Sequence, residues 1–448
     1  MKIAIIGFGT EGRALLHYFC GKGHELTVFD LKRKEIQAEF KGKAKFHFGP
    51  DYLDNLQGFD LVFRSPGVPY LTKQFDPVRQ KLTGLTRYFL EKCPCEIIGV
   101  TGTKGKGTTA TLICEILKKD KGRRVFIGGN IGQPPIAFLD QLKKDDLVVL
   151  ELSSFQLQDA TVSPHIAVVL GISPDHMDHH ANMAEYVEAK KNLVKFQKKS
   201  DFAVIDVDNE YGEDFAAATA AKVNRVLIKK AVNEGGFIRV GRLVVKRGKT
   251  GTIVGTKGET GLIGEHNLKN MLAAAVAANL AGADVLAITD VIKEFRGLPH
   301  RLEFVKEFAG AKFYNDSAST NPQTTIAAVR AFDGPIILIV GGADKNTDFS
   351  PLGHELAHNL NVRTVVVMGQ TKPKIEKAVE EAIIKNGGRN PALELITAES
   401  YQEAFMVARM LAREGDTVLL SPACASFDMF SNYQERGDIF RDFVMDLA

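Results

Sequence analysis

Cysteine is scarce in this chain, with five in 448 residues, an odd count. Cys93-Pro-Cys95 lacks the spacing of a zinc knuckle, and no Cys/His pair elsewhere supplies partners. Reduced buried or surface thiols are therefore expected here rather than a metal site. No apolar run approaches the roughly 20 residues of a membrane span. The opening segment, Lys2-Ile-Ala-Ile-Ile-Gly7, enters a strand at once, without the charged start, apolar middle and small-residue site of a secretion signal. A cytoplasmic location is the expectation. A large charge of one sign is also missing: 57 basic residues face 54 acidic ones, a net charge of +3. That balance is too weak to argue for a nucleic-acid partner, and none is expected, though it suits anionic ligands. Neither low-complexity tracts nor a solenoid period occur.

What is present is a soluble, globular composition, 45% hydrophobic and 25% charged, on a chain too long for one core. Strand candidates at 3–6, 26–29, 45–48 and 61–63 alternate with helical stretches, the doubly wound α/β pattern. Pro94 punctuates this run, and the pattern restarts with strands at 96–100, 125–127, 147–150, 166–170 and 202–205. The glycine-rich stretch 237–254 reads as a small antiparallel insert. Residues 183–199 and 267–281 read as helices. After Gly297-Leu-Pro299, strands at 312–314, 336–340, 364–368, 393–396 and 417–420 form a third α/β unit. The expected domains are 1–92, 93–298 and 299–448: Rossmann-like, P-loop and Rossmann-like.

The stretch Gly99-Val-Thr-Gly-Thr-Lys-Gly-Lys-Gly-Thr-Thr109 carries the most chemistry. A glycine-rich turn between a strand and a helix aims backbone N–H groups at a phosphate. Lys106 would reach the outer phosphates of ATP, and Thr108 or Thr109 would ligate magnesium. Glu151, at the end of another strand, is placed for the same metal, while Ser153 or Ser154 could equally make this segment a helix N-cap. His176, in a His-rich loop, is either a metal or phosphate contact or a solvated surface residue. Lys190 falls on the apolar stripe of its helix, so it either snorkels to water or is a functional amine of depressed pKa. The turn Gly7-Phe-Gly9-Thr-Glu-Gly12, with Asp30 closing the next strand, suits NAD, another nucleotide-bearing ligand, or helix packing alone. Three polar clusters, 315–321, 341–345 and 421–428, follow strands in the last unit, where a small carboxylate-bearing substrate would bind.

Taken together and in order, these pieces resemble the Mur ligases, ATP-dependent amino-acid ligases of peptidoglycan synthesis. The resemblance runs through Ser65-Pro-Gly67, 99–106, 129–132, 151–157, 175–178, His266-Asn267 with Asn270, 297–301, 315–317 and 420–426. It is similar above all to the member that adds D-glutamate to UDP-N-acetylmuramoyl-L-alanine through an acyl phosphate. The resemblance implies that Gly9, Thr10, Asp30, Lys32, Ser65, Gly67 and Asn130 face the UDP-sugar. ATP would lie on Gly102, Thr103, Lys104, Gly105, Lys106, Gly107, Thr108 and Thr109, with Asn267, Asn270, Arg301 and Asp316 as further nucleotide contacts. Two magnesium ions would be held by Thr108, Glu151, His176 and Lys190, the last as a carbamate. Thr320, Lys345, Ser426 and Tyr433 match the D-glutamate pocket. A monomer working on small molecules is implied. Three positions depart from the family: Lys104 replaces a common asparagine, Gly107 a hydroxyl residue (a form shared with folylpolyglutamate synthases), and Ala318 a common lysine.

Overall fold

The computed structural model describes residues 1–448 apart from Lys121, His176, Asp178, Ile263, Asn346, 387–389, 391–392 and Ala448. The chain packs as two compact units, Met1–Phe295 and Arg296–Ala448.

The first unit holds two sheets. Short β-branched and aromatic runs make the strands of the smaller one, all parallel, in the order Lys45–Phe48, Glu25–Asp30, Lys2–Ile6, Leu61–Arg64, Leu82–Thr83. Strand order reverses beside Lys2–Ile6, which opens a crevice at the carboxyl ends where Gly7 and Ser65 lie.

The larger sheet has nine strands. From one edge they are Val125–Gly129, Leu147–Glu151, Glu96–Thr101, Ile166–Val169, Phe202–Asp206, Lys222–Leu227 and Gly235–Arg239, all parallel. Arg242–Arg247 and Thr250–Thr256 then complete the edge antiparallel. The antiparallel segment is therefore not a free-standing insert: Arg225 pairs with Gly235 and joins it to the main sheet.

One face of this sheet packs against the helices Lys106–Lys119, Glu265–Leu280 and Val285–Glu294. Met271 to Ala278 are all buried, so the alanine-rich helix is apolar all round because it is enclosed. On the opposite face, Val148 and Leu150, with Leu193 of the helix Met183–Lys195, share one apolar cluster with Ile3 and Phe63 of the smaller sheet and with Leu15 and Phe89 of the helices beside it. That shared core is why the two sheets form one unit.

The expected helix 183–199 ends early, at Met183–Lys195. Its continuation is captured elsewhere, since the Gln197 amide donates to the carbonyls of Pro164 and Phe202 at 3.2 and 2.8 Å.

The second unit has six strands in the order Glu303–Phe308, Ala311–Asn315, Thr417–Leu420, Ile336–Gly341, Val362–Met368, Glu394–Thr397. Only the first pair is antiparallel. That edge strand, with charges at Glu303, Lys306 and Glu307, has no clear period in sequence. Among the described residues no helix is long and apolar enough to cross a membrane.

Candidate functional site

The strand Glu96–Thr101 runs straight into the phosphate loop and then the helix Lys106–Lys119. Gly102 and Gly105 have φ of +151° and +83°. A Cβ on Gly105 would lie 2.3 Å from Asn270 Oδ1, and one on Gly102 2.7 Å from Leu170 Cβ. Only glycine fits either position. Gly105 caps the helix without a side-chain hydrogen bond, which keeps the helix N-terminus open to an anion. Gly105→Ala is expected to weaken ATP binding at least about tenfold, since it adds both strain and a clash at the cradle. Calorimetric titration with ATP checks this.

Around the loop, Lys106 Nζ donates to the Thr103 carbonyl at 2.9 Å. The Thr103 hydroxyl donates to Ser173 O, accepts from the Ser173 N–H and lies 3.0 Å from the Tyr186 hydroxyl. Lys104 is exposed, and its charge, after burial, helps lower the pKa of His266. Asn270 is buried and donates to Asn267 Oδ1 at 3.2 Å. Gly107 is buried in the first turn. Of the two threonines, Thr108 is partly exposed, whereas Thr109 is fully buried with its N–H bonded to Gly105 O. Thr108 is the accessible hydroxyl.

Two neighbouring groups carry unsatisfied chemistry. Glu151 ends the strand beside the phosphate-loop strand and is 4% exposed. Its Oε1 accepts from Asn130 Nδ2 at 3.0 Å, while Oε2 has no partner among the described residues. A buried carboxylate oxygen left bare costs free energy unless a cation meets it, and oxygen is the donor that magnesium prefers. Ser153 caps the following short helix in a capping box, as the N-cap reading of this segment expects.

Lys190 is the second such group. It is 2% exposed, which removes the snorkelling reading. Nζ donates to Gly102 O at 2.9 Å, and Tyr186 presents its ring 4.7 Å away. Burial, and then the charge of Lys106, push its pKa down to about 7, against the opposing pull of Asp175 and Glu151. A substantial fraction of this amine is neutral at physiological pH. Lys106, Glu151 and Lys190 are thus gathered at one strand-end cluster. His176 lies outside the described residues, and among those described no three His, Cys, Asp or Glu side chains form a metal site.

At the crevice of the smaller sheet, Gly7 has φ +93° and accepts the Ser65 hydroxyl at 3.3 Å. A Cβ on Gly12 would meet Gly7 O at 1.9 Å, whereas Gly9 and Gly67 face open space. Gly9, Thr10, Lys32 and Gly67 are exposed in the loops after these strands, and Asn130, beyond the strand Val125–Gly129 of the larger sheet, is exposed too. Asp30 holds the turn itself: it accepts the Phe8 N–H at 2.7 Å, the Lys32 N–H at 3.0 Å and pairs with Lys34 at 2.9 Å. Burial alone would raise its pKa, and these bonds reverse the shift, lowering it. Asp30→Ala is expected to destabilise the fold by about 1–3 kcal/mol, because it leaves the Phe8 donor buried and bare; urea unfolding measures it. Beside Asp30 lies a cavity of about 660 Å³ lined by Leu31, Lys34, Ile36, Lys41, Phe46 and Phe48. Aromatic walls with a cationic rim suit a base joined to phosphates.

Sequence patterning missed what connects these two clusters. Arg64, fully buried, donates to Val68 O and to Phe155 O at 2.7 and 2.9 Å and lies 3.6 Å from Asp159. Gln156 donates to Glu11 Oε1 at 2.7 Å, and burial raises the pKa of Glu11. The Ser65–Gly67 loop and the Glu151–Leu157 segment are therefore tied by one buried network. The signal available was an arginine ending an apolar strand.

In the second unit, Arg301 is exposed between His300 and Leu302, whose φ values are +64° and +43°. Such strain in non-glycine residues marks a loop held for a purpose. Asp316 holds it, accepting the Leu302 N–H at 3.1 Å and the Ser421 hydroxyl at 2.7 Å. Burial raises the Asp316 pKa to about 6. Thr320 and Lys345 are exposed, with Lys345 5.3 Å from the Phe427 ring, while Ser426 is buried. Tyr433 accepts the Ser317 hydroxyl on its backbone carbonyl at 2.8 Å. Arg436, also missed, is fully buried and donates to Ser317 Oγ, Ser317 O and Cys424 O.

The chain matches the Mur ligase MurD-like N-terminal domain over residues 1–83, the Mur ligase middle domain over 100–278 and the Mur ligase glutamate ligase domain over 300–424. It belongs to the Mur ligase family. It is 40% identical over 451 residues to the UDP-N-acetylmuramoylalanine–D-glutamate ligase of Acetivibrio thermocellus, covering 99% of this chain and 96% of that one. Solved structures with the same fold include a pseudomurein peptide ligase type C from Methanothermus fervidus, with TM-score 0.58, 18% identity and 100% of both chains covered. A MurF ligase from Thermotoga maritima in complex with ADP gives TM-score 0.55, 17% identity, and coverage of 100% and 95%. The α/β architecture expected from the sequence is borne out.

Proposed function

We propose that this chain is an ATP-dependent amide ligase that adds D-glutamate to UDP-N-acetylmuramoyl-L-alanine in peptidoglycan precursor synthesis. The observation that carries this reading is the 40% identity, along nearly the whole length, with a ligase of that name. The likeness in fold alone would suit any ligase of this architecture.

A carboxylate is a poor electrophile, because oxide would have to leave. Transfer of the terminal phosphoryl group of ATP gives an acyl phosphate, and the amine of D-glutamate then displaces phosphate. Lys106 and the first-turn N–H groups of the Lys106–Lys119 helix hold the phosphates, and Gly102 to Thr109 form the cradle. Asn267, Asn270, Arg301 and Asp316 are assigned to the nucleotide. The UDP-sugar is assigned to Gly9, Thr10, Asp30, Lys32, Ser65, Gly67 and Asn130, with the cavity beside Asp30 taking the base. Thr320, Lys345, Ser426 and Tyr433 are assigned to the amino acid.

The bare oxygen of Glu151 fits a hard cation, and Thr108, Glu151 and Lys190 as a carbamate would hold magnesium, with His176, at two sites. Bound there, magnesium neutralises charge on the transferring phosphoryl group. Lys190 suits carbamylation because only a neutral amine attacks carbon dioxide. Its nitrogen forms the new bond to carbon and releases one proton. Glu151→Gln is expected to raise the magnesium concentration needed for half-maximal rate by about tenfold or more; a magnesium titration of turnover reads this.

The test is phosphate release with ATP, UDP-N-acetylmuramoyl-L-alanine and a panel of D- and L-amino acids, because Ala318 stands where a cation is common. D-glutamate alone should support turnover. Turnover with a different amino acid, or with a pterin acceptor, would replace this reading.

A further inference from the structure

We propose that Cys93 and Cys95 form a reversible dithiol–disulfide pair, oxidised by hydroperoxides and restored by small thiols. The pair lies outside the ligase site. Cys93 follows the helix Leu85–Lys92, and Cys95 precedes the strand Glu96–Thr101. The two thiols therefore sit on the connection between the smaller and larger sheets.

Their Sγ atoms are 3.5 Å apart. Closing to a disulfide requires contraction to about 2 Å. Pro94 holds its own φ near about −65°, so the backbone between the thiols gives up little freedom when they join. Both cysteines are half-buried, and both line one cavity of about 390 Å³ with Pro94, Lys144, Ser163 and His165. A small oxidant can reach them there. Cys114 and Cys424, in contrast, are buried.

The pair is also chemically unequal. The thiol–thiol hydrogen bond lowers the Cys93 pKa and raises that of Cys95. Cys93 is thus the more readily ionised thiol of the two, and Cys95 the one that keeps its proton. The Cys93 thiolate attacks one oxygen of hydrogen peroxide, the O–O bond breaks, and a sulfenic acid and hydroxide result. Cys95 sulfur then attacks the Cys93 sulfur, and the hydroxyl leaves as water after taking the Cys95 proton. Overall two thiols lose two electrons and two protons, and one peroxide becomes two waters. A thiol such as glutathione reverses the change by exchange. Reversible pairs of this kind are how thiol-rich compartments use disulfides.

The test treats the full-length protein with hydrogen peroxide and maps its peptides by mass. The peptide spanning 93–95 should lose two hydrogens and regain them with dithiothreitol. That change should be at least about tenfold faster than oxidation of Cys20. With dimedone present, Cys95→Ser should be labelled at Cys93 and form no disulfide, while Cys93→Ser should carry no label at Cys95. If Cys20 oxidises first, if the 93–95 peptide gains oxygen without forming a disulfide, or if Cys95→Ser stays unlabelled, the proposal is overturned. The wild-type map decides the matter even if a serine variant fails to fold.

Discussion

Replacing Lys106 with alanine is expected to lower kcat/KM by at least about a thousandfold, roughly 4 kcal/mol of barrier. The backbone cradle at the head of the Lys106–Lys119 helix persists in this variant, because the backbone at Gly102 and Gly105 sets its shape. What is lost is a full positive charge placed where negative charge builds on the transferring phosphoryl group. Such charge is worth far more in a site shielded from water than on a surface. ATP binding should fall much less than turnover, since the N–H groups still meet the phosphates. Steady-state kinetics beside thermal unfolding separates lost catalysis from lost fold. Turnover within tenfold of wild type would remove Lys106 from the phosphate site.

Lys190→Ala carries the second large effect, a loss of about a hundredfold or more that acetate or formate partly restores. The variant leaves a space beside Gly102 O and the Tyr186 ring where a short carboxylate can stand in for the oxygens of the proposed carbamate. An amide of the same size should not rescue. Equal activity without additive, or no response to any carboxylate, would return Lys190 to a purely structural role.

Stability should carry a matching signature. The folded-state pKa of about 7 lies below the ordinary lysine value of about 10.4. Between those two pH values the unfolded chain binds more protons, so stability rises with pH across that window. Below pH 7 the penalty is complete. In buffers free of carbon dioxide, Lys190→Met should therefore gain most over wild type below pH 7, and the difference should close toward pH 10. Urea midpoints at several pH values measure it.

The strands that frame the site were legible because a parallel sheet covered on both faces must be built of short apolar runs, and 147–150 or 336–340 are such runs. The phosphate loop was legible because its glycines answer a backbone requirement. The inward position of Lys190 followed from helical period alone. Its surroundings did not: a lysine on an apolar stripe reads the same whether its tip reaches water or stops at Gly102 O. Asp30 was legible as a strand-end carboxylate, yet its bonds to Phe8 and Lys32 depend on how the turn closes over it. Arg64, Asp159 and Glu11 were invisible for a related reason. Each looks like a surface charge until two sheets meet and bury it. Likewise the antiparallel edge could be seen in 237–254, but its attachment to the main sheet rests on a strand, Lys222–Leu227, whose alternation is broken by polar residues.

The central claim is that the substrate carboxyl group is phosphorylated before the amide forms. Its most direct test follows heavy oxygen in UDP-N-acetylmuramoyl-L-alanine labelled at the terminal carboxylate. One labelled oxygen should appear in the released phosphate for each amide made, since it bridges carbon and phosphorus in the acyl phosphate. Amide formed with all label retained in the peptide product, or lost to water, would contradict the account.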